Sequence, residues 1–146
     1  MPANPPLGIA FGRFLIHLRI RFIAVLAPLF LWGAFVHDPG VFPGVRFWIA
    51  FVLYNLCLYG GVNALNSFHD KDTGPIGGLR KPPAVDPWLW RLAWGIQILG
   101  LVIAAALRLP AAYIAIYIVF MALSLAYSHP SVRLKGSAIG SAAVVA

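Results

Sequence analysis

The sequence predicts an all-α, polytopic membrane helix bundle: four complete transmembrane helices followed by the start of a fifth. Three observations predict it. Of the 146 residues, 61% are hydrophobic and only 10% are charged, where soluble domains run at about half and about a quarter. The apolar residues come in blocks close to the ~20 residues that a helix needs to cross the hydrocarbon core. The basic residues divide unequally between the two sides of the resulting bundle, in the sense of the positive-inside bias.

Taken in order, residues 1–12 are rich in Pro and Gly and read as an exposed lead-in. Residues 14–36 form the first span, apolar except for His17, Arg19 and Arg21. These basic residues lie near its start, where long side chains can snorkel to the interface. A signal peptide is the alternative, but the apolar part is long, no small-residue cleavage site follows it, and further spans come after. The segment HDPGVFPGV, residues 37–45, has the Pro/Gly punctuation of a short turn. Residues 47–65 carry no charge and form the second span. Residues 71–87 are the longest polar connection. Residues 88–107, apolar except for Arg91, form the third span, and the uncharged residues 109–127 the fourth, with a tight turn at Arg108–Leu109–Pro110 between them. YSHPSVRLKG, residues 127–136, follows. GSAIGSAAVVA, residues 136–146, is small and apolar but too short to cross, and reads as the beginning of a fifth helix. The two hairpins show no internal repeat.

With a cytoplasmic N-terminus, one side of the bundle holds Arg13, Arg19, Arg21, Lys71, Arg80, Lys81, Arg91, Arg133 and Lys135, and the other only Arg46 and Arg108. The net charge of +7 is thereby accounted for by topology, and nucleic acid is not an expected partner; membrane lipid is. The lone Cys57 lies inside a span and packs as a small apolar residue.

Four acidic residues occur, all Asp, and two of them share the segment NSFHDKDTGPIGGLRKPP, residues 66–83. On an α-helix advancing about 100° per residue, Asn55, Tyr59, Asn63, Asn66 and Asp70 fall within one stripe about 80° wide. Lipid cannot satisfy such groups, so the stripe faces the bundle interior or a wet cavity. Asn55, Tyr59 and Asn63 read equally as cavity lining or as interhelical hydrogen-bonding glue. Asn66 and Asp70, four apart, place their side chains within reach of one cation. Asp72 joins them only where the helix ends near Asp70, which Gly74-Pro75 favours. Oxygen ligands from Asn and Asp suit Mg²⁺, which bridges carboxylates to substrate phosphates. Lys71, Arg80 and Lys81 lie in the same loop and carry the charge that phosphate oxygens need, although the positive-inside bias alone also explains them. His69 reads as a solvated loop histidine, since no second His or Cys is near in sequence to complete a zinc site.

NSFHDKDTGPIGGLRKPP at the end of the second span resembles the Asn- and Asp-rich first motif of the UbiA-type intramembrane prenyltransferases. YSHPSVRLKG after the fourth span is similar to the Tyr-Ser-x-Pro-Pro-x-Arg-Leu-Lys segment of the same family. The resemblance implies an all-helical fold of nine spans with a lipid-open cavity, in which two Asp-rich motifs hold Mg²⁺ against a prenyl diphosphate. The prenyl group then passes to a lipophilic, often aromatic, acceptor. Residue by residue, it implies that Asn66 and Asp70 carry the catalytic metal, with Asp72 standing in for the further Asp that the family pattern has. It also implies that Arg80 contacts phosphate and that Tyr127, Ser128, Arg133 and Lys135 belong to the diphosphate site; Lys71 and Lys81 join it as charges of the same loop. Gly74 stands where the family pattern has a further Asp, Ser67 where many members have Asp, and Ser131 where the second Pro is usual. No acidic residue follows Asp86. The expectation is therefore residues 1–146 as the N-terminal part of one UbiA-type domain, lacking the second Asp-rich motif and inactive as this fragment.

Two other classes compete. A non-enzymatic membrane bundle (scaffold, channel or lipid-binding module) explains the spans and the charge bias, but not the convergence of acid, amide and base at one helix end. A CDP-alcohol phosphotransferase would need a longer Asp series than this chain has. For the prenyltransferase, the ring faces of Phe51, Tyr54 and Tyr59 could steady an allylic cation; ordinary packing is the plainer reading for Phe51 and Tyr54.

Overall fold

The computed structural model describes residues 5–38, 40, 42 and 44–145. Part of the lead-in and of the 37–45 turn, and the terminal Ala146, lie outside the described residues. The described chain is helical, without a strand. Its helices are α1 (Leu7–His17), α2 (Ile20–His37), α3 (Val45–Asp70), α4 (Pro87–Ala106), α5 (Ala111–Ser128) and α6 (Ala138–Val145). Helices α2 to α5 are long and apolar enough to cross a membrane, so the four expected spans are present. A short 3₁₀ turn, Leu134–Gly136, precedes α6, and Ser137 Oγ accepts from the Gly140 amide at 3.0 Å, capping the start of that helix.

The first span differs from its expected course. Helix already begins at Leu7, inside the expected lead-in, and breaks at Leu18–Arg19. Arg19 adopts a left-handed backbone, φ 54° and ψ 50°, unfavourable for a residue with a Cβ. Two side-chain bonds hold the break against α3, and a third, within α3, links them. Arg19 Nη2 donates to Ser67 Oγ at 2.8 Å, Ser67 Oγ donates to the Asn63 carbonyl at 3.1 Å, and Asn63 Nδ2 donates to the Leu18 carbonyl at 3.2 Å. Arg19 does not snorkel: it is 8% exposed.

Helix α3 is the central element. Its middle, Leu53–Tyr59, is wound as a wider π-helix, a form that displaces the backbone ladder locally. Two carbonyls just before the wide turn also take side-chain donors: Tyr113 Oη donates to Ala50 O at 2.9 Å, and Asn55 Nδ2 to Phe51 O at 2.9 Å. The wider turn also rotates Asn55 and Tyr59 relative to the uniform α-helical stripe. Towards its end α3 packs on α4 through small residues. A Cβ at Gly61 would run into Gln97 Cγ and lie 3.0 Å from the Ala93 carbonyl, and one at Gly100 would come within 2.6 Å of Cys57 Cβ. Without a hydrophobic drive between helices in lipid, such close backbone approach is what van der Waals association requires. Cys57 is buried at this contact, as a small apolar residue would be. The core beside it joins Phe14 and Leu18 to Ala64, Leu65, Leu89 and Ala93.

Helix α3 stops at Asp70 because Lys71 turns left-handed, φ 53°, while its amide still bonds the Ser67 carbonyl at 3.0 Å. The following connection folds back as a tight turn: Ile76 and Leu79 exchange backbone bonds around Gly77-Gly78, with Gly78 at φ 81°. The turn lies against Arg19 and Phe22. Asp86 then opens α4, its Oδ1 accepting from the Trp88 amide at 3.0 Å with Pro87 at the first helical position. Its other oxygen lies 3.6 Å from Arg13 Nη1, which brings α1 to the start of α4.

Candidate functional site

The last turn of α3 points Asn66 and Asp70 the same way, and one cation meets both. Lys135 Nζ lies 3.2 Å from Asn66 Oδ1 and is paired with Asp70 Oδ1. Ser128 Oγ donates to Asn66 Oδ1 at 2.6 Å, so the end of α5 fixes the amide from the other side. The Lys135 ammonium also stands 5.8 Å from the centre of the Tyr127 ring. Of the residues expected at the diphosphate site, Tyr127, Ser128 and Lys135 are thus gathered around Asn66 and Asp70. The 3₁₀ turn after α5 makes this possible by returning residue 135 to the end of α3.

A cavity of about 450 Å³ opens next to this cluster. Asn63, Asn66, Tyr127 and Ser128 line it together with Arg19 and Phe22. Arg19 is the residue that sequence reading missed here. It was counted among the interfacial positive charges, and its burial depends on contacts with residues 48 positions away, for which no local signal exists. Its Nε is buried without a hydrogen-bond partner. Burial pulls its pKa below the usual guanidinium value, and the charges of Asp72 and then Asp70 oppose that pull. An anion entering the cavity would find a positive group held in place and only partly satisfied.

A second cavity, about 340 Å³, continues along α3 and is lined by Phe30, Tyr54, Asn55, Tyr59 and Tyr113. Tyr59 borders both cavities. Asn63 combines the two expected roles, lining a cavity while its amide bonds the Leu18 carbonyl of another helix; Asn55 lines a cavity, and its amide bonds the Phe51 carbonyl of its own helix. Tyr54 and Tyr59 lie 5.9 Å apart between ring centres, and Phe120 packs on both. Phe51 instead packs on Phe30 and Trp48.

The remaining expected residues stand elsewhere. Asp72 is exposed and lines, with Lys71 and Lys81, a different hollow of about 390 Å³. The left-handed Lys71 ends the helix, as Asp72 would require, yet it carries the chain away from the Asn66–Asp70 face. Lys71, Arg80, Lys81 and Arg133 are exposed, and among the described residues none of them contacts the pair. His69 is not a solvated loop residue. It belongs to the last turn of α3, its Nε2 is buried without a partner, and its ring meets that of His129 at 5.5 Å.

The donor set suits a hard cation. One amide oxygen and one carboxylate oxygen already converge on a single positive group, which is what Mg²⁺ takes when it keeps most of its waters. No cluster of three or more His, Cys, Asp or Glu side chains occurs among the described residues, so a dedicated protein cage for a transition metal is not present there. No known protein family, curated protein or solved structure matches this chain.

Proposed function

We propose that the chain contributes the first half of a Mg²⁺-dependent intramembrane prenyltransferase site, in which a prenyl diphosphate donates its prenyl group to a lipophilic acceptor. The observation that carries the reading is the convergence of Asn66 Oδ1 and Asp70 Oδ1 on one cation, beside a cavity that Asn66 lines together with Arg19. Two motifs that resemble the UbiA-type enzymes support it, one ending α3 and one following α5. Asn66 and Asp70 would hold the Mg²⁺, which would supply charge neutralisation at the departing diphosphate. The chain's own groups do the rest. Arg19 and Lys135 offer donors to phosphate oxygens, Ser128 holds the Asn66 amide in orientation, and the apolar walls around Tyr59 and Phe120 keep water from the allylic centre. With nine basic residues against two on the opposite side, the site faces the cytoplasm.

The competing reading is a non-catalytic bundle, and the Lys135–Asp70 pair favours it in one respect: it satisfies the carboxylate without any ligand. Binding of a fluorescent prenyl diphosphate analogue to the chain in nanodiscs separates the two. Binding that requires Mg²⁺ and is lost in Asp70→Ala is the expected result. Binding indifferent to both, or absent altogether, removes the prenyltransferase reading.

A further inference from the structure

We propose that Lys135 is the resident cation of the Asn66–Asp70 pair, which a divalent metal must displace, and that once displaced it serves the anion arriving with the metal. The inference rests on the function proposed above and assigns Lys135 a positioning role in that site.

The ammonium occupies the one place common to both oxygens. It is paired with Asp70 Oδ1 and lies 3.2 Å from Asn66 Oδ1. A metal ligated by the same two atoms would stand within a few ångströms of it, where like charges repel strongly even at a partly screened site. The two cations therefore exclude one another. The ion pair is largely sheltered, with side-chain exposures of 15% for Lys135 and 22% for Asp70, so it is not one of the solvent-screened pairs that are worth almost nothing.

Displacement needs no rearrangement of the helices. Lysine carries its charge on a flexible four-carbon stem, and Lys135 lies in the 3₁₀ turn rather than in a spanning helix. The neighbouring space is suited to receive an anion. Tyr127 and Ser128 border both the pair and the 450 Å³ cavity, and Arg19 is among the residues that line that cavity. A metal arriving alone leaves the freed ammonium without an acceptor. A metal arriving with a diphosphate provides one. Metal and anion binding are then positively coupled through a single side chain, with the reciprocity that linkage demands. The exposed Lys71, Arg80 and Lys81 cannot play this part, because no acidic partner in the site holds them.

Acylation of lysines by a small amine-reactive ester, followed residue by residue by mass spectrometry on the intact chain in detergent, reads the exchange directly. Lys135 is expected to react slowly in metal-free protein and roughly fivefold faster or more at saturating Mg²⁺, while Lys71 and Lys81 stay constant. Asp70→Asn should show the fast rate without metal. Mn²⁺ binding measured by electron paramagnetic resonance completes the test: Lys135→Met should bind more tightly than the wild-type chain. Mn²⁺ bound to the wild-type protein with the Lys135 rate unmoved overturns the exchange but leaves the proposed function standing. Absence of Mn²⁺ binding in both the wild-type chain and Lys135→Met overturns both.

Discussion

Arg19 Nη2 donates to Ser67 Oγ at 2.8 Å, joining the break between α1 and α2 to the middle of the last α-helical stretch of α3. The bond does two things. It keeps a left-handed arginine in place, and it sets a buried positive charge at the cavity beside Asn66. Removing the hydroxyl in Ser67→Ala leaves a buried guanidinium with one partner fewer, which costs about 1–3 kcal/mol. Thermal unfolding in detergent should show the loss. Ser67→Thr, which keeps the hydroxyl, should recover part of it.

The α3–α4 contact makes opposite predictions for two glycines. Gly61→Ala forces a methyl group into Gln97 and towards the Ala93 carbonyl, and should destabilise by about 1–3 kcal/mol. Gly95→Ala, on the facing helix α4 but with nothing within 4 Å, should be neutral or stabilising by up to about 1 kcal/mol. A pair of unfolding midpoints that moved in the same direction would contradict this packing.

How much of this was legible beforehand differs by element. The four spans follow from apolar blocks with few or no charges, and the boundary between the last two from the punctuation at Arg108–Leu109–Pro110. The gathering of Ser128 and Lys135 around Asn66 was expected only through resemblance, because it depends on contacts 62 and 69 residues apart. Two features were not legible. Nothing near Arg19 marks a helix break: no Gly or Pro is adjacent, and the left-handed turn is stabilised by Ser67 and Asn63 from another helix. The π-wound stretch Leu53–Tyr59 likewise has no local mark: the Tyr113 hydroxyl that bonds the Ala50 carbonyl beside it comes from 63 positions away, and Asn55 and Tyr59 line a cavity from within it. Asp72 differs for a third reason: beyond the helix end at Asp70 it is exposed and lines a separate hollow with Lys71 and Lys81.

His17 gives a pH dependence. It is 1% exposed, and neither ring nitrogen has a hydrogen-bond partner. Burial lowers its pKa from 6.5; nearby Arg19 acts in the same direction, and the Pro83 carbonyl and Asp86 oppose it. Below the ordinary imidazole value the unfolded chain takes up a proton that folded His17 refuses, so stability falls as the pH drops through about 6.5. The slope from this one group is at most about 1.4 kcal/mol per pH unit. Unfolding midpoints between pH 7.5 and 5.5 should decline in the wild-type chain and decline less in His17→Leu. Parallel curves would remove His17 from the account.

Asp86 caps α4 and faces Arg13 across 3.6 Å. Asp86→Ala should cost about 1 kcal/mol through the lost cap. Arg13→Ala should cost less, because its side chain is 35% exposed and the pair is correspondingly screened. Denaturant titration of the two variants checks the order, and a larger loss in Arg13→Ala would show that the ion pair rather than the cap carries the effect.

The proposed joint grip of Asn66 and Asp70 on a divalent cation is tested most directly by a structure of the chain determined with Mn²⁺ and its anomalous difference map. The account predicts a peak about 2.1–2.2 Å from both Asn66 Oδ1 and Asp70 Oδ1, with the Lys135 ammonium moved away. A peak bound elsewhere, or none at saturating Mn²⁺ with Lys135 still paired to Asp70, would contradict it.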